Sequence, residues 1–335
     1  MLHRRKIVLC AGLLAFAAGI AVIFLIPTDW RPRIENFASR EFGRPITIQS
    51  VTVGWGNPIA LDMTGLHVAN SPWGSIPDMI SVDHVHADIA LWPLLRGLFR
   101  LDRVTIERPA IVLERDGDGV GNWILVPQGA SSKDGATSFV QFIGAMKLSD
   151  GTLTFRTTQH NILRMHVIEA DLRAADDNAP VVVDAHGTYN DLPIQTTVTF
   201  ESFAALRQIP RPVATELIGT SKHTSIKLVG TMTDPIRFDG IKAKVDLAAE
   251  TLEELSGVIG TDEFTKTGLT VSGTLGRQGD RWLWSDLRGL SDSASISGML
   301  GLDEGSRGWT SGRSTWSALV GATRPDSGTG SSHYM

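Results

Sequence analysis

One cysteine, Cys10, serves a chain of 335 residues. That scarcity excludes an internal disulfide and, beyond residue 10, any thiolate nucleophile or cysteine-ligated metal. Positive charge is scarce as well. No Lys or Arg lies between Lys6 and Arg31, and beyond the N-terminal tail 28 Lys and Arg face 36 Asp and Glu, a balance of −8. Such a balance argues against nucleic acid and against charge-driven adhesion to anionic headgroups. No Gly-x-Ser-x-Gly nucleophile elbow occurs, and Gly117–Gly121 (GDGVG) does not open a helix after a strand as a dinucleotide fingerprint must. Disorder of the whole chain is excluded too, since 42% of its residues are apolar and 20% charged.

What stands out in what is there is Ile7–Ile26, twenty residues without a charge or a proline. As a helix it would span about 30 Å, the thickness of a bilayer's hydrocarbon core. Arg4, Arg5 and Lys6 precede it, so the positive-inside bias keeps residues 1–6 cytoplasmic and sends the rest outward. Cleavable signal peptides have shorter apolar runs ending in small residues, and Ala15-Phe16-Ala17 is followed by nine more apolar or small residues. A lipoprotein signal would want a small residue before its cysteine, where Leu9 stands. The expectation is an uncleaved single-pass anchor, with Ile7, Leu14, Ile20 and Ile26 in the membrane.

Asp29–Phe42 has a narrow apolar face (Ile34, Phe37, Ala38, Phe42), Pro32 in its first turn and Gly43 after its end, which predicts a short helix. From Pro45 the pattern alternates with period two, but with slips. Ile46 and Ile48 give way to Val51 and Val53; Ile59, Leu61 and Met63 to Leu66 and Val68; Ile80 and Val82 to Val85, Ala87 and Ile89. Each slip is expected to mark a β-bulge. One helical turn is predicted at Trp92–Phe99, then strands at Leu101–Glu107, Ala110–Arg115 and Trp123–Val126. Residues 129–137 read as a linker, and Ser138–Lys147 as a helix. Strands resume at Thr152–Arg156, Leu163–Arg173, Val181–Ala185 and Ile194–Phe200. Further strands are expected at Ser225–Met232, Ile236–Leu247, Leu269–Leu275, Arg281–Leu287 and Ser293–Leu302. Short helices fit Ser202–Ile209 and Glu250–Ile259. Gly187, Gly230 and Gly273 recur at intervals of 43, which suggests stacked supersecondary units. The alternation stops near Leu302, and 303–335 reads as a disordered or truncated tail.

These apolar faces have two physical destinies. Two sheets may mesh into a closed sandwich, or one open, curled sheet may present its apolar face to a guest. Recurrent slips, few and short helices and short connections lean toward the second, yet the residues alone put the closed sandwich slightly ahead. His84-x-His86-x-Asp88 has the spacing of ligands on one strand face, but with Val85, Ala87 and Ile89 between them an ordinary solvated face is the simpler reading. Asp116-Gly-Asp118-Gly opens like a calcium loop yet has no glutamate at its twelfth position, so a glycine-rich turn is expected. Trp55, Trp73, Trp92 and Trp282 read as core or interface anchors. No catalytic residue, metal ligand or cofactor site is assigned.

Leu101–Leu113, LDRVTIERPAIVL, resembles the N-terminal signature of the AsmA family, a Pro-Leu-Leu segment followed by V-x-I-x-x-P-x-I-x-L. Those positions are Pro93, Leu94 and Leu95, then Val104, Ile106, Pro109, Ile111 and Leu113. Asn122-Trp123, GRPITIQSV, SDGTLTFR and parts of Gly230–Gly301 resemble the family as well. The resemblance implies an inner-membrane-anchored periplasmic protein of Gram-negative bacteria, linked to outer-membrane biogenesis. Its expected fold is mainly β: a transmembrane helix, then an elongated, curled, mostly antiparallel sheet, trough-like, with a few short amphipathic helices. On that view residues 27–128 form an AsmA-like N-terminal β region and 138–302 a repeat-like one, shorter than is usual in the family. Candidate groove residues are Ile48, Val53, Leu61, Ile89, Val104, Ile106, Ile111, Leu113, Phe155, Val183, Val198, Leu228, Val245 and Val271. The expected partners are phospholipid or another envelope lipid, the inner membrane and outer-membrane assembly proteins. The alternative is a regulatory factor that guides protein targeting to the outer membrane without carrying lipid.

Overall fold

The computed structural model describes residues 29–117, 120–125, 142–156, 162–189, 192–208, 210–235, 239–250, 268–279, 281–291 and 295–303. Helix α1 (Arg31–Phe42) carries Pro in its first turn and ends on Gly43 in the left-handed region, the conformation that glycine adopts without Cβ strain. Strands β1 (Ile46–Gly54), β2 (Ile59–Ala69) and β3 (Asp78–Ile89) follow, then the single turn α2 (Leu91–Leu94) and the long strand β4 (Arg100–Glu114). Next come β5 (Phe142–Arg156), β6 (Ile162–Arg173), β7 (Val181–Tyr189), β8 (Leu192–Phe200), the turn α3 (Phe203–Leu206) and β9 (Val213–Ser221). The described chain closes with β10 (Thr224–Met232), β11 (Ile241–Ala249), β12 (Leu269–Gln278), β13 (Arg281–Ser291) and β14 (Ser295–Asp303).

All fourteen strands form one sheet, in the order of the sequence. Every junction is antiparallel except β4–β5, which is parallel and therefore needs a crossover between them. At about 4.8 Å per strand the sheet is about 60 Å wide. Among the described residues no second sheet lies against it, so the closed sandwich is overturned.

The phase slips are a collective feature. In β1 to β5 they fall on Gln49, Gly65, Asp83, Arg108 and Asp150, five positions that face one another across the ladder, with the register unshifted at that point. Gly65, Arg108 and Asp150 have φ of +59°, +47° and +54°, and Arg108 Nε donates to Asp83 Oδ2 at 2.7 Å along the same line. The line ends at β6, which bulges at Ile168 between Val167 and Glu169, and β7 keeps an unbroken alternation. Only this last slip is a bulge in the ladder, so the expected one-strand bulges in β1 to β3 are corrected. One strand slipping alone would turn its apolar residues to the wrong side; slipping together, the strands keep one apolar face.

The same line unites the two strands expected at Leu101–Glu107 and Ala110–Arg115 into β4, because left-handed Arg108 turns the face without ending the strand. The helix expected at Ser138–Lys147 is also corrected, since Phe142 onward is β5. The ladder skips the pair Asp102/Gly144, and this irregularity lets Ile143 and Met146 pack on one cluster three residues apart, imitating a helical period. Trp123 and Ile124 are not in a strand. Strand β9 was not anticipated, although Val213, Thr215 and Leu217 alternate. Gly187, Gly230 and Gly273 fall on β7, β10 and β12, three strands and then two apart, so their equal spacing is not a structural repeat. Gly187 and Gly230 do mark close approach: a Cβ would lie 2.0 Å from the His166 oxygen and 2.1 Å from the Lys242 oxygen. The expected segments at Ile7–Ile26, 129–137, 251–259 and 304–335 lie outside the described residues.

Helix α1 runs along the free edge of β1. Glu35 Oε1 accepts the Ile48 amide at 2.7 Å and Ser39 Oγ accepts that of Ile46 at 2.9 Å. Two outward amides of the edge are thus satisfied by one helix face, which blocks pairing there with another chain. Replacing both residues (Glu35→Ala with Ser39→Ala) removes two hydrogen bonds worth about 1 kcal/mol each. The expected result is a lower melting temperature and concentration-dependent self-association in sedimentation velocity, whereas an unchanged monomer would refute the edge-capping role. Gly65→Ala is expected to destabilise as well, since its Cβ would meet that of Gln49 at 2.8 Å at a positive φ.

Candidate functional site

Registered partners in a ladder point to the same face, so side chains can be followed across the sheet. Val53 pairs with Leu61, Leu61 with Ala87, Ala87 with Val104, Val104 with Met146, and Met146 with Leu172. The row continues through Val183, Val198, Leu217, Leu228 and Val245 to Gly273. Eleven consecutive strands contribute one apolar side chain each, without a polar interruption. On the twelfth the Trp284 indole lies over Gly273, where a Cβ would fall 2.3 Å from its nitrogen.

All fourteen candidate groove residues lie on this face. Val53, Leu61, Val104, Val183, Val198, Leu228 and Val245 are in the row itself. Ile106 neighbours Val85 and Leu148; Ile89 pairs with Ile59; Val271 pairs with Leu247. Beyond the slip line, Ile48 pairs with Leu66, Ile111 with Ile80, and Leu113 with Phe155. Ile48, Ile89, Val104 and Val245 are buried and the other ten half-buried. Sequence reasoning missed Met146, assigned to a helix, and Leu217, on the unrecognised strand; period-two alternation was the signal available for both. Leu172, inside a strand that was recognised, was simply not singled out.

Short elements cover parts of this face near the rims. Leu91 and Leu94 of α2, with Phe99, pack on Ile59, Ile89 and Leu101. Phe203 and Leu206 of α3 pack on Phe142 and Val181, the two phenyl rings meeting edge-on at 5.4 Å. At the opposite rim Ile34 and Ala38 of α1 and Leu125 pack on Ile46, Ile48, Val68 and Met79, while Trp123 tilts against Phe155 at 6.0 Å. A buried polar knot holds that corner. Asn122, 0% exposed, donates to Asn70 Oδ1 at 2.9 Å and to the Val112 oxygen at 2.8 Å. The Glu114 carboxylate accepts from Ser75 N and Oγ and from Asn70. The two loops that carry Trp123 and Trp73 are thereby fixed to β4. No sequence pattern exposed Glu114 and Asn70 as partners, because they are 44 residues apart.

The other face is polar. Its registered row reads Asp62, His86, Thr105, Lys147, Asp171, Asp184, Thr197, Ile218, Lys227, Asp246. Ion pairs cross it, among them Lys147–Glu169 at 2.7 Å, Lys227–Glu216 at 3.0 Å and Arg173–Asp184. These exposed pairs contribute little stability singly, but they make this side a water-facing surface. A solvent-open depression on it is lined by Asp171, Asp184, His186, Gln195, Thr197 and Ile218. His86 Nδ1 meets Asp62 Oδ1 at 2.9 Å and its Nε2 meets Asp88 Oδ1 at 3.2 Å, with His84 Nε2 3.5 Å from the same Asp62 oxygen. Among the described residues no three His, Cys, Asp or Glu side chains are placed to hold a metal ion. Asp116 Oδ1 accepts the Val120 amide at 2.8 Å, closing a turn.

One long sheet, apolar on one side and polar on the other, with no second sheet packed over its apolar side among the described residues, defines an open-sheet protein of one amphipathic surface. Residues 2–161 match the model of the AsmA family, a span that includes β1 to β5 and supports the resemblance read from the sequence. The resemblance read at Leu101–Leu113 falls inside the match; that read at Gly230–Gly301 falls outside it. The family match points to an envelope-related function. No curated protein and no solved structure matches the chain.

His86 gives a pH test. Its hydrogen bond to the Asp62 carboxylate raises its pKa above the ordinary 6.5, and the bond to His86 lowers that of Asp62 below 3.8. The histidine's stabilising contribution is full below 6.5 and fades as pH rises through its raised folded value. The aspartate's is full above 3.8 and fades as pH falls through its lowered one. The pair therefore stabilises most between 3.8 and 6.5. The His86 ring protons, followed by NMR, are expected to titrate above 6.5, and Asp62→Asn to bring that midpoint down; an unmoved midpoint would refute the coupling.

Proposed function

We propose that this is a non-catalytic, inner-membrane-anchored periplasmic protein that binds or passes phospholipid or a related envelope lipid along its apolar sheet face, in support of outer-membrane biogenesis. One observation carries this reading: an apolar row unbroken over eleven strands, with no second sheet to cover it among the described residues. Half-buried, most of the Val, Leu and Ile side chains on that face realise only part of the about 1.5–3 kcal/mol that full burial of each contributes. Lipid tails satisfy such a face without specific polar groups, at about 0.8 kcal/mol per buried methylene. Ile7–Ile26 supplies the anchor; among the described residues no helix is long and apolar enough to cross a membrane, and that run lies outside them. No cofactor is required.

Full-length protein purified from membranes is expected to carry lipid detectable by mass spectrometry. Ile106→Glu and Val245→Glu each place a charge on the apolar face and are expected to lower the bound lipid several-fold, with Thr220→Glu on the polar face as the control. Circular dichroism separates lost lipid from lost fold. Lipid content equal in all four proteins would refute lipid carriage, and a co-purifying protein partner insensitive to these charges would favour the assembly factor.

A further inference from the structure

Large apolar residues break the surface in a cluster at one corner of the sheet. Trp55 follows the end of β1, and Trp92, Leu95 and Leu98 lie between the end of β3 and the start of β4. They are 48%, 60%, 68% and 48% exposed. The elements that carry them share one packing cluster, since Val53, Ile59, Leu91 and Leu94 all belong to it, so the four residues stand on the same rim. Trp30, at the start of α1, meets Trp55 edge-on at 5.7 Å. Tryptophan prefers a site with one wet and one apolar side, and a rim of this kind in water would be costly.

The chain itself says what lies against it. The apolar run Ile7–Ile26 ends four residues before Trp30, and four extended residues reach at most about 14 Å. Whatever surface Ile26 emerges from lies within that reach of the rim. The overall acidic balance speaks against charge as the attraction, and aromatic and aliphatic side chains are what this corner presents. We propose that the rim formed by Trp55, Trp92, Leu95 and Leu98 docks into the interface of the bilayer that holds residues 7–26, standing the sheet on the membrane by its β1–β4 corner. The α2 turn and the row that begins at Val53 and Leu61 then open at the lipid surface. The inference rests on the proposed function only in taking 7–26 as membrane-embedded; it does not require lipid in the groove.

The test uses the full chain with Cys10→Ser, reconstituted into vesicles of phosphatidylethanolamine and phosphatidylglycerol, with nitroxide labels at Leu95→Cys, Leu98→Cys, Trp73→Cys and Ser225→Cys, one at a time. Vesicle flotation establishes that the chain is membrane-held. Labels at 95 and 98 are expected to lose collisions with a water-soluble nickel chelate several-fold relative to 225, and to gain collisions with oxygen. Floating vesicles with 95 and 98 as chelate-accessible as 225 would overturn the docking while leaving the anchor intact. Protection at 73 in place of 95 and 98 would overturn it in favour of the opposite rim. A chain that does not float would overturn the anchor and the docking together, whatever lipid mass spectrometry finds.

Discussion

Register is the constraint on which this molecule depends. A sheet one layer thick has no opposing layer to correct a strand that slips, and a slip of one residue moves every apolar side chain of that strand into water. The row from Val53 to Val245 is held chiefly by hydrogen-bonded pairing between neighbours, with α2 and α3 packing beside parts of it. Where the first strands change phase, they do so on one shared line, with Gly65, Arg108 and Asp150 in the left-handed region and Arg108 bridging to Asp83. The sixth strand absorbs the change in a bulge at Ile168, and from β7 to β11 the pairing proceeds without a recorded shift. Two more register shifts follow at Ser272/Thr274 and Trp284/Leu287.

Single-layer sheets are also exposed at their edges and on their apolar faces. Here the first edge is blunted by α1 through Glu35 and Ser39, and the polar face by cross-strand ion pairs. The apolar face is covered only near the rims, by α1, α2, α3 and the knot around Asn122. Helices of four residues cannot cover a sheet of fourteen strands, so their placement at rims shapes the two margins of the face and leaves its middle to something other than protein among the described residues.

Much of this was legible in the chain. Alternating Ile, Val and Leu identified thirteen of the fourteen strands at least in part, and the fourteen candidate residues proved to share a face, because side-chain direction in a strand follows directly from position. Reading failed where irregularities imitate another period. Ile143 and Met146 look helical because the ladder skips a pair between them, and Arg108-Pro109 looks like a strand break because a left-handed residue reverses the face. Equal spacing of Gly187, Gly230 and Gly273 looked like a repeat, yet strands and loops of unequal length happened to sum to the same number.

What the sequence determined alone is the local part: which segments are strands, which residues share a face, where α1 begins and ends, and which family the N-terminal span resembles. These follow from periodicity, capping residues and short motifs, all of which act over a few residues. Only the tertiary structure decided that the strands form one sheet in sequence order, that their slips align, that β4 and β5 run parallel, and that Glu114 meets Asn70 and Asn122. Those are relations between segments, fixed by hydrogen-bond partners far apart in the chain, and no local pattern specifies a partner.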